Sequence, residues 1–163
     1  SKKGKYPQYI HTDKNIEYIE WLKTQFEYYS IKCSEIWKNN QTGCYTFQTQ
    51  TLKAYEELYE LFYKNSSKKK VFNINLNPIV LKHWYIGDGN IKNHKGSKNI
   101  GTEITCKWYC SNIESQLINI FGEGCKYHNS SKKYYIPVKY RNKFIEYIGK
   151  NDVECYNYKF IKN

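Results

Sequence analysis

The fold is decided by residues 77–89, which read NPIVLKHWYIGDG. Their apolar run predicts a helix that ends at a carboxylate between two glycines. Pro78 suits the first helical turn, where its missing N–H would have no partner in any case, and Gly87 and Gly89 allow close backbone approach at the far end. The helix would therefore hold Asp88 rigidly at its tip, which indicates a metal site. An ordinary turn is the alternative, because Asp-Gly and Gly-Asn pairs often form turns.

The same order of elements is predicted before and after this helix. Before it, residue alternation and helical spacing predict a strand, a helix, two strands and a helix over residues 6–12, 14–29, 31–37, 44–50 and 52–62. After it, strands are predicted over 101–108, 125–129 and 134–138, with one helix beginning at Ser111 and another ending near Gly149. The chain is therefore predicted to be a weak internal repeat, with a first copy over 1–70 and a second over 71–163.

The composition predicts a polyanionic partner. Lys and Arg outnumber Asp and Glu by 26 to 15, and the resulting net charge of +11 recurs along the chain. Neutralising nucleic-acid phosphates releases counterions and favours binding whatever the base sequence. The alternative is a lysine-rich surface that only keeps the protein soluble.

Other classes of protein fit the sequence less well. No apolar run approaches the ~20 residues that span a bilayer, so we expect an intracellular protein without membrane contact. The six cysteines lack paired Cys-x-x-Cys spacing and the four histidines do not cluster with them, which argues against zinc and favours reduced thiols. The abundance of Lys, Asn, Ile and Tyr is typical of AT-rich coding sequences, such as those of mitochondria, plastids, phages and other low-GC genomes.

Residues 81–89 resemble the signature helix of the LAGLIDADG homing endonucleases, with Leu81 at the first position, Asp88 as the catalytic acid and Gly89 at the last. Through the order of its elements, the resemblance covers nearly the whole chain. It implies an α+β fold of two pseudo-symmetric half-domains of the αββαββα type, each with an antiparallel β-sheet saddle. The first half-domain, 1–70, would lack its signature helix, and the second, 71–163, would carry it at about 78–89.

The activity that the resemblance implies is site-specific cleavage of double-stranded DNA with Mg²⁺. In-line hydrolysis of a phosphodiester needs a metal-activated water and stabilisation of the leaving oxygen, and hard oxygen ligands suit Mg²⁺. The resemblance assigns the metal to the Asp88 carboxylate and the Gly87 backbone carbonyl, and it assigns catalysis to Asp88, Lys70 and Lys159. Lys70 precedes the signature helix, and Lys159 follows the last helix in a Tyr-Lys pair. A solvated charge run is the alternative for Lys70.

The resemblance also implies that the sheets enter the major groove, where each base pair presents a distinct pattern of donors and acceptors. Alternate residues along the strands would then face the bases, and a register shift of one residue would turn them all to the other face. The predicted DNA contacts are Lys3, Lys5, Gln8, His11, Gln48 and Gln50 in the first half, and Lys92, Lys95, Lys98, Glu103, Lys126 and Lys133 in the second.

The sequence departs from the family pattern in its number of acids. Single-chain members carry two signature helices with one carboxylate each, whereas this sequence shows only Asp88. We expect the equivalent acid a few residues upstream of Ser1 in a longer product, encoded in an intron, an intein or a free-standing gene, or else on another chain. A single acid predicts weak or nicking activity, and we expect a monomer unless another chain supplies the motif. The alternatives are a maturase-like or structural RNA-binding protein, and a DNA-binding regulator, on the same fold without nuclease activity.

Overall fold

The computed structural model describes residues 6–64, 67–68, 74–91 and 101–160. The chain divides into two compact units, of which the first comprises Ser1–Lys70 with Val153–Cys155 and the second Val71–Asp152 with Tyr156–Asn163. Each unit combines helices with an antiparallel sheet, and the predicted α+β class is confirmed. None of the described helices is long and apolar enough to cross a membrane.

The first unit is built on a three-stranded sheet of order β1-β3-β2. Its elements are β1 (Ile10–Asp13), α1 (Ile16–Tyr28), β2 (Trp37–Lys38), β3 (Tyr45–Gln48) and α2 (Tyr55–Phe62), followed by the short hairpin of β4 (Tyr63–Lys64) and β5 (Ser67–Lys68). Helix α1 packs on the sheet, with Ile19 and Leu22 buried on its inner face and the Phe26 ring 6.0 Å from the buried ring of Phe47. The helical spacing of apolar residues over 14–29 predicted such a buried stripe, but Ile16, at the start of α1, is exposed.

Two polar side chains shape the turns of this unit. The Asp13 carboxylate accepts a hydrogen bond from the Asn15 N–H at 2.8 Å, just before α1 begins. The Asn39 side chain accepts from the N–H groups of Gln41 and Thr42 at 2.9 and 3.2 Å, and Gly43 follows with φ +70°. Such Asx turns replace backbone hydrogen bonds and fix the connection between β2 and β3.

The second unit has a four-stranded antiparallel sheet of order β6-β7-β9-β8. Its elements are α3 (Pro78–Asp88), β6 (Gly89–Ile91), β7 (Thr102–Thr105), α4 (Ser111–Phe121), β8 (Lys126–His128), β9 (Lys133–Ile136) and α5 (Arg141–Ile148), with 3-10 helices over Val138–Tyr140 and Glu154–Lys159. One core joins the helices to one face of the sheet, and its fully buried side chains include Leu81, Tyr85, Ile104, Leu117, Tyr134, Ile136 and Phe144.

Helix α3 is fixed at its start by side chains. The Asn77 side chain accepts from the Val80 N–H at 2.9 Å, and Pro78 occupies the first turn as the sequence predicted. The Gln116 side chain accepts from the Leu76 N–H at 2.8 Å and donates to the Ile74 carbonyl at 2.7 Å. These bonds attach residues 74–76, just before α3, to α4. They therefore help to set the direction of the helix that carries Asp88.

The strand content differs from the αββαββα pattern that the resemblance implies, which has four strands in each half-domain. In the described residues the first sheet has three strands and the second has four. The strands are also shorter than the predicted runs: residues 31–36 are irregular apart from an isolated bridge of Cys33 to Thr49, and the run 101–108 ends in a bend at 107–108.

Candidate functional site

Asp88 is the last residue of α3, and its side chain is exposed. The fully buried side chains of Leu81 and Tyr85 anchor the helix in the core of the second unit. Gly87 is also exposed, and the space around its Cα is open. The C-terminal end of a helix carries partial negative charge, which adds to a carboxylate there in attracting a cation.

Gly89 is required by close packing at this end of the helix. It is buried, and a Cβ atom at this position would run into the ring and the backbone carbonyl of Tyr85. The absence of a side chain therefore lets the chain turn directly from α3 into β6 beside the core. This accounts for the second glycine of the Gly-Asp-Gly sequence.

Lys159 contacts the same end of α3. Its side chain is buried, and its ammonium donates to the Ile86 carbonyl at 2.6 Å, two residues before Asp88. The ammonium lies 5.3 Å from the ring centroid of Tyr156 and 5.9 Å from that of Tyr158. In return the Tyr85 hydroxyl donates to the Lys159 carbonyl at 2.7 Å. The structure thus brings the two predicted residues Asp88 and Lys159 to one end of α3.

The chemistry of the donors at this site suits a hard cation. Asp88 and the Gly87 carbonyl offer oxygen ligands, and Mg²⁺ keeps several waters while using one or two carboxylates. Among the described residues, no group of three or more His, Cys, Asp or Glu side chains could hold a metal ion. The residues present therefore fit one side of a Mg²⁺ site rather than a complete cage.

The cysteines offer no competing site. None of the six, all of which lie in the described part of the chain, forms a disulfide. Burial raises the pKa of the Cys125 thiol to about 11, and it also raises the pKa values of Cys33 and Cys155. Protonated thiols are poor nucleophiles and poor metal ligands.

The face of the second sheet that points away from the core is polar. Residues opposite each other in an antiparallel pair share a face, and Ile104 opposite Tyr134 belongs to the core. Glu103 opposite Tyr135 therefore belongs to the other face. By the same register, this outward face, hereafter the β6–β9 face, carries Asn90, Glu103, Thr105, Lys126, His128, Lys133 and Tyr135.

Three predicted DNA contacts lie on the β6–β9 face. Lys126 is exposed, whereas Glu103 is buried and accepts from the Lys133 ammonium at 2.9 Å. His128 meets the edge of the Tyr135 ring, with centroids 5.6 Å apart. The face thus offers an acceptor, several donors and an aromatic surface side by side.

In the first unit, the strand register places the predicted DNA contacts Gln8 and Gln48 on one face of the sheet and His11 on the other. The Gln8 side chain donates to the Gln48 side chain at 3.0 Å, on the face opposite the buried ring of Phe47. Gln8 is itself buried, whereas Gln50 is exposed just beyond β3.

His11 lies on the other face of β1, opposite Phe47. Its ring meets the edge of the Tyr18 ring at 5.5 Å, and its Nδ1 atom is 3.0 Å from the Tyr9 hydroxyl. Burial lowers the pKa of His11, against a smaller opposing effect of the Asp13 carboxylate. His11 therefore lies on the side of β1 that faces Tyr18 of α1, whereas Gln48 and its partner Gln8 lie on the other side.

The remaining predicted residues, Lys3, Lys5, Lys70, Lys92, Lys95 and Lys98, lie outside the described residues. The structure also adds residues that the sequence interpretation did not select. Asn90, Thr105, His128 and Tyr135 share the β6–β9 face with Lys126. Their signal in the sequence is alternation with the core residues Ile104 and Tyr134, which identifies a face only after the strand register is known.

Comparison with known proteins gives one family. A sequence model of the LAGLIDADG DNA endonuclease family matches residues 1–144. The structure is similar to that of the homing endonuclease I-WcaI bound to its DNA recognition sequence, with a TM-score of 0.76 and 22% sequence identity over 100% of this chain and 79% of that chain. It is also similar to the N-terminal LAGLIDADG domain of DUF199/WhiA, with a TM-score of 0.55 and 17% identity over 88% of this chain and 73% of that chain. A comparison with curated proteins gave no match.

Proposed function

The chain belongs to the LAGLIDADG DNA endonuclease family, and from this membership we propose that it binds duplex DNA and hydrolyses phosphodiester bonds at Asp88 with Mg²⁺. The observation that carries the proposal is the exposed Asp88 carboxylate at the end of α3. Lys159 is hydrogen-bonded to the Ile86 carbonyl at the same end of the helix. A carboxylate in this position has no role in packing the core, and its helix is held at both ends. Rigid placement of an exposed acid is what a metal-dependent site requires.

Duplex DNA is the proposed substrate for two reasons. The net charge of +11 favours a polyanion, and the similar I-WcaI structure is of a complex with its DNA recognition sequence. The β6–β9 face belongs to an antiparallel sheet, and antiparallel β-ribbons are among the elements that the major groove admits. On this proposal, Lys126, Lys133, Glu103 and Tyr135 approach base edges or the adjoining backbone.

The residues at the end of α3 would divide the chemistry between them. Asp88 and the Gly87 carbonyl would hold Mg²⁺, which when bound supplies an activated water and stabilises the leaving oxygen. Lys159 holds the Ile86 carbonyl and places a positive charge beside the carboxyl end of the helix. That charge would stabilise a phosphate brought to the site.

A single carboxylate limits this activity. Mg²⁺ gives up its waters reluctantly and relies on carboxylates together with substrate phosphates. We therefore expect the chain with Asp88 alone to nick one strand slowly. A second carboxylate, supplied by a longer form of the protein or by another chain, would allow cleavage of both strands.

The experiment that tests the proposal starts from a library of random duplex DNA. Duplexes retained by the protein are selected without divalent metal, and Mg²⁺ is then added to the complexes. We expect strand breaks at a recurring sequence, and none when EDTA is present. Breaks that are equally frequent in EDTA, or that are scattered without a common sequence, would contradict metal-dependent, site-specific hydrolysis.

Binding without chemistry is the second candidate function. It is favoured by the single carboxylate at the site and by the lack of any group of three metal-ligating side chains among the described residues. In this case the ligand is duplex DNA or structured RNA, as in a regulator or a maturase-like protein. Competition between the two nucleic acids separates these cases, since the preferred ligand displaces the other at equal phosphate concentration.

A further inference from the structure

Each unit carries a hydrogen-bonded pair of polar side chains on the face of its sheet that points away from the core. In the second unit, the Lys133 ammonium donates to the Glu103 carboxylate at 2.9 Å. In the first unit, the Gln8 side-chain amide donates to the Gln48 amide oxygen at 3.0 Å. The two pairs differ in chemistry, since one is an ion pair and the other consists of two neutral amides.

The two pairs occupy the same kind of position in their sheets. Lys133 lies two residues before the residue directly opposite Glu103. Gln48 likewise lies two residues before the residue opposite Gln8, when the register of β1 and β3 is continued into the chain before β1. Both pairs therefore follow the same diagonal between neighbouring antiparallel segments, over which long side chains can reach each other.

Burial divides the members of each pair in the same way. Glu103 and Gln8 are 7% and 8% exposed, whereas Lys133 and Gln48 are half-buried. Each pair thus has an inner side chain that is enclosed by its surroundings and an outer side chain that is bonded to it. A long side chain that is already held in place loses less rotamer freedom when it binds a ligand. Both pairs therefore hold a polar group ready for a specific contact.

The ion pair of the second unit matches guanine better than it matches a phosphate. An ammonium beside a carboxylate gives the pair no net charge, so the pair adds little to the counterion release that drives phosphate binding. Lysine has three N–H donors, of which Lys133 gives one to Glu103. In the major groove guanine presents two adjacent acceptors, O6 and N7, whereas adenine and thymine present one acceptor each and cytosine presents a donor. The two other donors of Lys133 therefore fit guanine.

The amide pair of the first unit matches adenine. Adenine presents the acceptor N7 beside its N6 amine donor, and a glutamine amide bonds to both atoms at once. The Gln48 oxygen accepts one hydrogen bond from Gln8, and an amide oxygen has a second lone pair that can accept from the N6 amine. The NH₂ group of the same amide can then donate to N7. The bond between the two glutamines therefore leaves Gln48 able to contact adenine through both atoms.

We propose that Lys133 reads a guanine and Gln48 reads an adenine in the recognition sequence, each oriented by its buried partner. Glu103 and Gln8 are positioning residues, which act through the side chains that they hold. This assignment rests on the proposed binding of duplex DNA, and it adds to that function the identity of two bases. A bidentate contact of this kind discriminates against a wrong base by roughly tenfold.

The test exchanges the chemistry of the two pairs without changing the net charge. Glu103→Gln with Lys133→Gln gives the second unit an amide pair, and Gln8→Glu with Gln48→Lys gives the first unit an ion pair. Duplexes retained by each protein without divalent metal are selected from a random library and sequenced. We expect the first exchange to replace one guanine of the recurring sequence by adenine, and the second to replace one adenine by guanine. Each replacement should be preferred by roughly tenfold, with the other positions unchanged.

Each exchanged protein is the control for the other, because it keeps the pair of the other unit intact. Pairs across strands also stabilise sheets, and a purely structural pair would change the melting temperature without changing any preferred base. An unchanged recurring sequence, or a preference lost at many positions, would therefore overturn the assignment. If no sequence recurs with the unsubstituted chain, site-specific binding fails together with the assignment. The two failures are thus distinguishable.

Single substitutions of Lys133 provide a second measurement, should an exchanged protein fail to fold. Lys133→Arg keeps donors for both O6 and N7, so we expect guanine to remain preferred. Lys133→Leu has no donor, and all four bases should then be accepted at that position. A guanine preference that survives Lys133→Leu would show that another residue reads this base, and it would overturn the assignment.

Discussion

Among single residues, Asp88 is the one whose substitution distinguishes DNA binding from phosphodiester hydrolysis. Asp88→Asn removes a metal ligand and a negative charge at a site proposed to approach phosphate. We therefore expect equal or tighter affinity for the selected duplex in the absence of metal. The measurement is a titration of labelled duplex, with Glu123→Gln, another exposed acid of the same unit, as the control. A large loss of affinity in Asp88→Asn alone would show that the carboxylate helps the protein to bind DNA.

Lys159 is expected to support both the fold and the reaction. Lys159→Met removes the donor to the Ile86 carbonyl, and a buried acceptor left without a partner costs about 1–3 kcal/mol of unfolding free energy. The loss of positive charge should also slow strand breakage by roughly 100-fold, a typical effect of removing one stabilising donor. Urea unfolding and single-turnover kinetics measure the two effects.

The exposed Lys150→Met serves as the control for this substitution, and it should change neither quantity appreciably. A Lys159→Met protein that loses DNA affinity in proportion to its rate would contradict a role in the reaction. It would instead place Lys159 among the groups that bind the DNA backbone.

At the scale of secondary-structure elements, the junction between α3 and β6 gives a paired test. Gly89→Ala should destabilise the protein by about 1–3 kcal/mol, since its Cβ meets the ring and carbonyl of Tyr85 in a packed core. Gly87→Ala should be neutral or should stabilise by up to about 1 kcal/mol, because the space is open and alanine favours helices. The midpoints of denaturant-induced unfolding measure both effects. Similar midpoints for the two variants would contradict the described turn from α3 into β6.

The packing of β1 on α1 predicts a dependence of stability on pH. Burial lowers the pKa of His11 below its ordinary value of 6.5, so the unfolded chain binds a proton more readily than the folded one. The contribution of His11 is therefore present above pH 6.5 and is lost as the pH falls below it. Urea midpoints measured from neutral pH downward should fall less steeply for His11→Gln than for the unsubstituted chain. Parallel curves would contradict the half-buried position of His11 against α1.

Much of the element order could be predicted from sequence periodicity. The helix over Pro78–Asp88, the stripe of α1 and the hairpin of β8 and β9 all arise from local patterns of apolar residues and caps. The ends of the strands could not be predicted in the same way. Residues 31–36, for example, have a strand-like composition, yet β2 covers only Trp37–Lys38, because pairing with β3 decides which residues form a strand.

The candidate site was predictable in part. Asp88 follows from its local sequence, since glycines on both sides of an acid at a helix end are visible without a structure. The bond from Lys159 to Ile86 joins residues far apart in sequence, and only the fold brings them together. The separation of His11 from Gln8 depends on strand register, which the sequence leaves open where both faces carry polar residues.

At the scale of the whole molecule, the net charge of +11 predicts strong dependence of DNA affinity on salt. Lys126→Ala removes an exposed cation from the β6–β9 face and should reduce the slope of log affinity against log salt by about one. Lys53→Ala, which lies just before the acidic helix α2, should leave the slope unchanged. Equal changes in both variants would indicate binding through net charge alone.

The central claim is that this protein breaks duplex DNA with Mg²⁺ through Asp88. The most direct measurement is strand breakage of the selected duplex by the unsubstituted chain and by Asp88→Asn, side by side in Mg²⁺. Even residues that only orient metal ligands contribute about 10–100-fold, so we predict a loss of more than about 100-fold in Asp88→Asn with binding retained. Equal breakage by both proteins, or no Mg²⁺-dependent breakage of a duplex that the unsubstituted chain binds, would contradict the claim.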